Sequence, residues 1–335
     1  MTAPTEARPR LPLSVIGGFL GAGKTTLLNR LLRDSHGRRL AVLVNDFGAI
    51  NIDADLVAAN AGDTIALTNG CVCCSIGDDL TAALIRVIEA PVPFDAVVIE
   101  ASGVSDPWRI AQVALADPAL GLDGVTVLVD ASACLDHAAD PLLADSLRRQ
   151  VEAADLLVVN KTDLVDAAQL RGVQAWLDSL AGVTPRFETR QGDVPMALLT
   201  SAALSSAGDR SPHAPRPHGV EHGDADPSHG HDHDADHGEL FETWSARPRA
   251  SFPAAALRKL LREMPAGVLR LKGLVRTDEL GWAELQFAGR HGSLRKALAA
   301  PADDAAVVAI GMRGRLPVQA LDRLLGSGPD QDTAW

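Results

Sequence analysis

Short, nearly uninterrupted apolar runs alternate along the first two thirds of the chain with stretches in which apolar residues recur at helical spacing. The runs Leu13–Gly17, Leu40–Asn45, Thr64–Leu67, Ala96–Glu100, Val125–Asp130 and Leu156–Asn160 read as strands. Val125-Thr-Val-Leu-Val and Leu156-Leu-Val-Val lack the polar alternation of a half-solvated strand, so both faces are expected to be buried. Strands of this kind, separated by helical patterns, build a mostly parallel sheet covered by helices on both sides. The expectation is an α/β domain over residues 11–205, preceded by a flexible tail at 1–10.

The pattern breaks at residues 206–239, where Pro, Gly, Ser, Asp and His replace the large apolar residues. That composition describes a flexible linker. Beyond it, Leu240–Ser245 reads as a strand. Ala255, Leu257, Leu260, Leu261 and Met264 then follow a helical period after the start signal Ser251 and Pro253. Val268–Val275, Trp282–Ala288 and Ala306–Gly311 read as strands and Pro317–Leu325 as a helix, giving a smaller α+β domain at 240–326 with about four strands. A tail at 327–335 closes the chain.

Composition narrows the chemistry. The 335 residues are 47% hydrophobic, enough for about two packed domains. A net charge of -12, from 31 basic and 43 acidic residues, repels nucleic acid and anionic membranes as bulk partners. No stretch reaches the roughly 18 uninterrupted apolar residues of a spanning helix. Arg8 and Arg10 before Leu11–Gly23 resemble the start of a signal peptide, but that run also encodes a complete phosphate loop, which cleavage would destroy. Three of the four cysteines crowd into Cys71–Cys74, unlike a secreted disulfide framework, and a reducing cytoplasm is expected.

Gly18-Phe-Leu-Gly21-Ala22-Gly23-Lys24-Thr25 follows an apolar strand and precedes a helical run that opens at Thr26. In that context the glycines allow backbone N–H groups to converge on a phosphate at a helix N-terminus. Lys24 is expected on the β- and γ-phosphates and Thr25 on Mg²⁺. Asn160-Lys161-Thr162-Asp163 ends the last strongly apolar strand, where ligands collect in open α/β sheets. A carboxylate at Asp163 accepts from guanine N1–H and its 2-amino group, so GTP is preferred over ATP. Glu100 and Gly103, in Glu100-Ala-Ser-Gly103, are candidates for the Mg²⁺ shell or water positioning and for sensing the γ-phosphate. Asp46 is a further strand-end carboxylate; either acid is alternatively a solvated loop residue.

Gly70-Cys71-Val72-Cys73-Cys74 gathers three thiols in what reads as a tight loop. Three thiolates surround a soft divalent ion and leave a fourth position for water, a carboxylate or an accepting protein. The competing readings are a redox pair at Cys73 and Cys74 or three small buried apolar residues. In the linker, His229, His231, His233 and His237 alternate with carboxylates and suit capture of Zn²⁺, Co²⁺ or Ni²⁺, or else are solvated linker.

With these motifs in view the sequence resembles the CobW family of GTPases, relatives of the nickel-inserting accessory proteins UreG and HypB. The likeness covers the phosphate loop, Asn45-Asp46-Phe47-Gly48, the Cys-x-Cys-Cys segment, Glu100-x-x-Gly103, Asn160–Asp163, the His-rich linker and the C-terminal domain. It implies a P-loop GTPase that passes a metal, most often zinc, to a client metalloprotein. Other members serve cobalt insertion in cobalamin synthesis or nitrile hydratase activation, and a GTP-regulated metal store or sensor is the alternative. Many members carry glutamate where Asp46 stands and a second acid where this chain has Ala49. The small domain would by analogy recognise clients or a second protomer of a homo-oligomer, with Arg270 and Lys272 facing acidic partners or solvent.

Overall fold

The computed structural model describes residues 9–35, 37–44, 64–66, 72–203, 241–298 and 304–326, with the backbone alone for 64–66, 72–79 and 203. Seven parallel strands form the N-terminal sheet: β1 (Leu11–Gly18), β2 (Leu40–Val44), β3 (Thr64–Ala66), β4 (Ala96–Glu100), β5 (Leu120–Asp130), β6 (Leu156–Asn160) and β7 (Arg186–Glu188). Their spatial order is β3-β2-β4-β1-β5-β6-β7. The central strand β1 thus lies between β4 and β5, in register Ile16 to Glu100 and Gly18 to Leu128. The carboxyl ends of β1, β4, β5 and β6 therefore emerge side by side.

Helices cover both faces, as continuous apolar strands require. Leu27, Leu28, Leu31 and Leu32 of α1 (Lys24–Arg33) pack with Ile16, Val42, Val98 and Val158 on one side. On the other side lie α2 (Val72–Ile88), α3 (Pro107–Ala116), α4 (Cys134–Ala139), α5 (Ala144–Ala153) and α6 (Ala167–Ala181), which bury Leu84, Ile110, Cys134, Leu147 and Leu177 against Val15, Val97 and Val127. Cys134 is core: burial and the nearby Asp130 charge push its thiol up to about 11.

Two strands depart from the apolar-run reading. β7 holds one apolar residue, Phe187, between two charged ones, too short a pattern to separate from a loop. β5 begins at Leu120 rather than Val125 because a bulge interrupts it: Leu13 pairs with Leu122, but Ser14 pairs with Gly124. Asp123 is the extra residue and Gly124 takes φ 144°, a conformation that favours glycine.

The C-terminal domain is an antiparallel sheet of five strands in the order β11-β10-β9-β12-β8, with β8 (Phe241–Ala246), β9 (Val268–Thr277), β10 (Gly281–Ala288), β11 (His291–Lys296) and β12 (Ala306–Met312). The fifth strand, β11, has a single large apolar residue, Leu294, and leaves no hydrophobic trace to read. Helix α8 (Ala254–Arg262) follows the short α7 (Met196–Leu199) and buries Leu257, Leu260 and Leu261 against Leu271, Leu285 and Val307. The expected helix at Pro317–Leu325 is α-helical only over α9 (Val318–Leu321) and widens to a π-turn over Asp322–Gly326.

The opposite face of this sheet rests on the N-terminal domain, with Val308, Ile310, Phe241 and Leu269 in the same core as α1. The bulge turns Asp123 into that junction, where it ion-pairs with Arg270 at 2.8 Å and accepts from Gln286 at 2.6 Å and Ser201 at 2.5 Å. Lys272 donates to the Ser201 hydroxyl at 2.8 Å. The expectation that Arg270 and Lys272 face acidic partners or solvent is thereby corrected. Both sit on the junction face of β9 because residues two apart share a face of a strand. Burial by itself would raise the Asp123 pKa; the charges of Arg270 and Lys272 and the hydrogen bonds from Ser201 outweigh it and hold the carboxyl below the usual range. Lys272 is lowered, mainly by burial.

Candidate nucleotide site and the cysteine segment

The phosphate loop is shaped by three glycines with positive φ: Gly18 at 137°, Gly21 at 78° and Gly23 at 102°. At Gly23 a Cβ would meet Asn160 Nδ2 at 2.5 Å, and at Gly18 the Leu128 carbonyl at 2.7 Å, so these positions exclude side chains by contact as well as by conformation. Helix α1 starts at Lys24, and its N-cap residue is Gly23, which has no side chain to cap it. The N–H groups of this first turn and the positive end of the helix dipole form an anion cradle. Lys24 is buried, and its Nζ donates to the carbonyls of Gly18 at 3.0 Å and Phe19 at 3.3 Å, which poises the ammonium over the loop. Ala22 is buried, Thr25 half-buried and Thr26 exposed in the first turn.

Asn160 ties this loop to two others. Its Nδ2 donates to the Ala22 carbonyl at 2.9 Å and its Oδ1 accepts from Gly192 N at 2.9 Å. The turn at 189–193 is further fixed by Thr162 Oγ1 to the Thr189 carbonyl at 3.1 Å and by an Arg30–Asp193 ion pair at 2.9 Å. Lys161 takes a left-handed φ of 60°, uncommon for a residue with a side chain. Its Nζ reaches Asp130 Oδ2 at 2.7 Å, which anchors it from the neighbouring strand. Burial would raise the Asp130 pKa, but the Lys161 bond and two from Ser132 hold it below the usual range. Asp163, one residue into the following 3-10 turn, is exposed.

Glu100 is buried at the end of β4, beside Ile16 of β1 and Val44 of β2. Three residues later Gly103 lies against the phosphate loop: a Cβ there would be 2.6 Å from Leu20 Cδ2 and 2.8 Å from Leu20 N. Gly18, Ala22, Gly23, Lys24, Glu100, Gly103 and Asn160 are thus brought to one edge of the sheet, with Thr25, Lys161 and Asp163 on the elements that leave it. Reading by motif missed the turn at 189–193, Asp130 and Ser132. The turn follows a strand with no apolar run, so its only trace was a polar stretch ending in Gly192-Asp193.

Asp46, Cys71, His229, His231, His233 and His237 lie outside the described residues. Cys73 and Cys74 fall in the first turn of helix α2, not in the tight loop expected from Gly70. Among the described residues, no three His, Cys, Asp or Glu side chains cluster in a way that could hold a metal ion, and no helix is long and apolar enough to cross a membrane.

A parallel sheet with a glycine-lined phosphate loop at the carboxyl end of its central strand defines a P-loop nucleotide-binding protein. The chain belongs to the CobW/HypB/UreG family: the nucleotide-binding domain of that family matches residues 12–187, and the cobalamin synthesis protein cobW C-terminal domain matches residues 241–327. It is 32% identical over 307 residues to a Sinorhizobium protein named zinc chaperone CobW, covering 82% of this chain and 83% of that one. It is 34% identical over 197 residues to the Escherichia coli zinc chaperone YjiA, covering 56% of this chain and 60% of the relative. A Dictyostelium discoideum protein named zinc-regulated GTPase metalloprotein activator 1 is 29% identical over 233 residues, covering 58% and 49% respectively.

Proposed function

We propose that this protein is a GTP-hydrolysing metallochaperone that loads a divalent cation, zinc first among Zn²⁺, Co²⁺ and Ni²⁺, on Cys71, Cys73 and Cys74 and hands it to a client metalloprotein. The observation that carries the nucleotide half is Asn160, whose one side chain bonds both the phosphate loop and the turn beside Asp163. Phosphate and guanine recognition then share one rigid edge. The glycine cradle, Lys24 and the N-terminus of α1 fit a triphosphate, and Thr25 is the residue that would hold its Mg²⁺, which neutralises the phosphate oxygens. Glu100 and Asp46 supply carboxylates for the Mg²⁺ shell or the attacking water. On this reading the GTPase domain spans 11–205, the His-rich linker 206–239 and the C-terminal domain 240–326.

The metal half rests on the thiol spacing and on relatives named zinc chaperones. Helix α2, which carries Cys73 and Cys74 in its first turn, belongs to the nucleotide domain, so loops that order around GTP reshape the thiol set. Coupling of this kind is reciprocal. Zn²⁺ affinity is expected to differ with and without a non-hydrolysable GTP analogue, and GTP affinity to change by the same factor with metal. A triple replacement of Cys71, Cys73 and Cys74 is expected to lose the tight equivalent while the His-rich linker stays in place. Equal Zn²⁺ affinities in the two nucleotide states, or one tight equivalent retained by the triple variant, would sink this reading.

A further inference from the structure

Gly103 is held by a residue that no nucleotide motif marks. Gln150, on α5, is 1% exposed, and its Nε2 donates to the Gly103 carbonyl oxygen at 2.9 Å. That acceptor fixes which end of the carboxamide faces Gly103. The other end, Oε1, is buried and has no hydrogen-bond partner among the described residues. An unpaired buried oxygen lowers stability, and an apolar side chain of the same size would avoid it. Packing alone does not account for a glutamine here.

Gly103 explains what the glutamine offers. Contact with Leu20 excludes any Cβ at this position, and a residue without Cβ has little intrinsic restraint on its backbone dihedrals. A hydrogen bond to its carbonyl supplies that restraint from a neighbouring rigid helix. The Gly103 backbone also lies against the phosphate loop, three residues beyond Glu100.

Building on the GTPase reading above, we propose that Gln150 is a positioning residue for GTP hydrolysis: by anchoring the Gly103 carbonyl it holds the Gly103–Val104 peptide and so limits the backbone rotation at Gly103 that would turn its own N–H, on the other side of the Cα, away from the γ-phosphate. Gln150 itself touches no nucleotide. GDP has no γ-phosphate, so its binding is insensitive to this restraint, whereas GTP binding and turnover depend on it.

The test uses the full chain and Gln150→Met, which keeps the length and volume of the side chain and removes the donor. GTP turnover is measured together with separate titrations of GDP and a non-hydrolysable GTP analogue. The expected result is a kcat about tenfold lower, the loss of roughly one hydrogen bond in the transition state. The analogue is expected to weaken while GDP affinity stays within about twofold. Unchanged kcat with an unchanged ratio of the two affinities overturns the proposal, and so does equal weakening of both nucleotides, which marks a structural residue. Should Gln150→Met not fold, Gln150→Leu carries the same test, and loss of GDP binding in both variants also overturns it. Lys24→Ala separates the two levels. A wild type no more active than Lys24→Ala refutes the GTPase reading, while an active wild type with an equally active Gln150→Met refutes only the role of Gln150.

Discussion

Asn160 shows how much a single side chain settles at this site. A carboxamide carries a donor and an acceptor on one planar group, and Asn160 spends the donor on Ala22 and the acceptor on Gly192. The loop that follows it is thereby pinned, with Lys161 locked onto Asp130 and Asp163 left facing solvent. On the proposed reading, replacing Asp163 with Asn removes a charged acceptor for two guanine donors and keeps the shape. GTP affinity is expected to fall about a hundredfold, since hydrogen bonds to charged groups are worth about 1.5–3 kcal/mol each. Competition titrations of GTP against ATP check this, and an unaltered preference would place base recognition elsewhere. The sequence announced Asp163 through its motif; the partners that orient the loop, Asp130 and the turn at 189–193, belong to no motif.

At the scale of elements, the helices that border the site are started by local chemistry. Asp106 accepts from Trp108 N at 2.9 Å, with Pro107 in the first turn of α3. α6 opens with a reciprocal capping box between Asp166 and Gln169. Asp166→Ala should cost about 1 kcal/mol of stability, read as a lower urea midpoint, with GTP turnover unchanged because Asp166 contacts neither the phosphate loop nor the guanine loop. These two caps went unread, whereas the long apolar strands were legible along the chain. β7 and β11 were not, because a strand of three residues, or one with a lone leucine, is stabilised by its neighbours' backbone hydrogen bonds rather than by a pattern of its own. The start of α2 at Val72 was likewise unreadable: Gly70 signals a turn, and nothing nearby signals that the helix takes up Cys73 and Cys74.

The whole molecule is joined by a buried charge network in place of an open linker alone. Asp123 meets Arg270, Gln286 and Ser201 at the junction, and His291 pairs with Asp155 while stacking on Trp108 at 4.9 Å. Asp123→Asn leaves the Arg270 guanidinium buried beside a neutral group, and breaking one half of such a pair costs about 3–5 kcal/mol. The same pair predicts a pH dependence. The folded Asp123 carboxyl is held below its unfolded value, near 3.9, so its stabilisation is present above that value and is lost as pH falls through the folded pKa. Urea unfolding between neutral and strongly acidic pH should show this component in the wild type and lack it in Asp123→Asn. An identical acid profile in both would remove Asp123 as its source.

What the sequence determined by itself is what depends on neighbours along the chain. Apolar runs set the buried strands, glycines at fixed spacing set the phosphate loop, and the Asn160–Asp163 motif marked the loop proposed to read the base. Tertiary structure alone decided what depends on residues far apart in sequence. It turned Asp123 through a bulge onto Arg270, 147 positions away, bound Asn160 to Gly192, and seated Gln150 under Gly103. Hydrogen bonds and ion pairs are short-ranged in space and indifferent to sequence separation, so no periodicity records them.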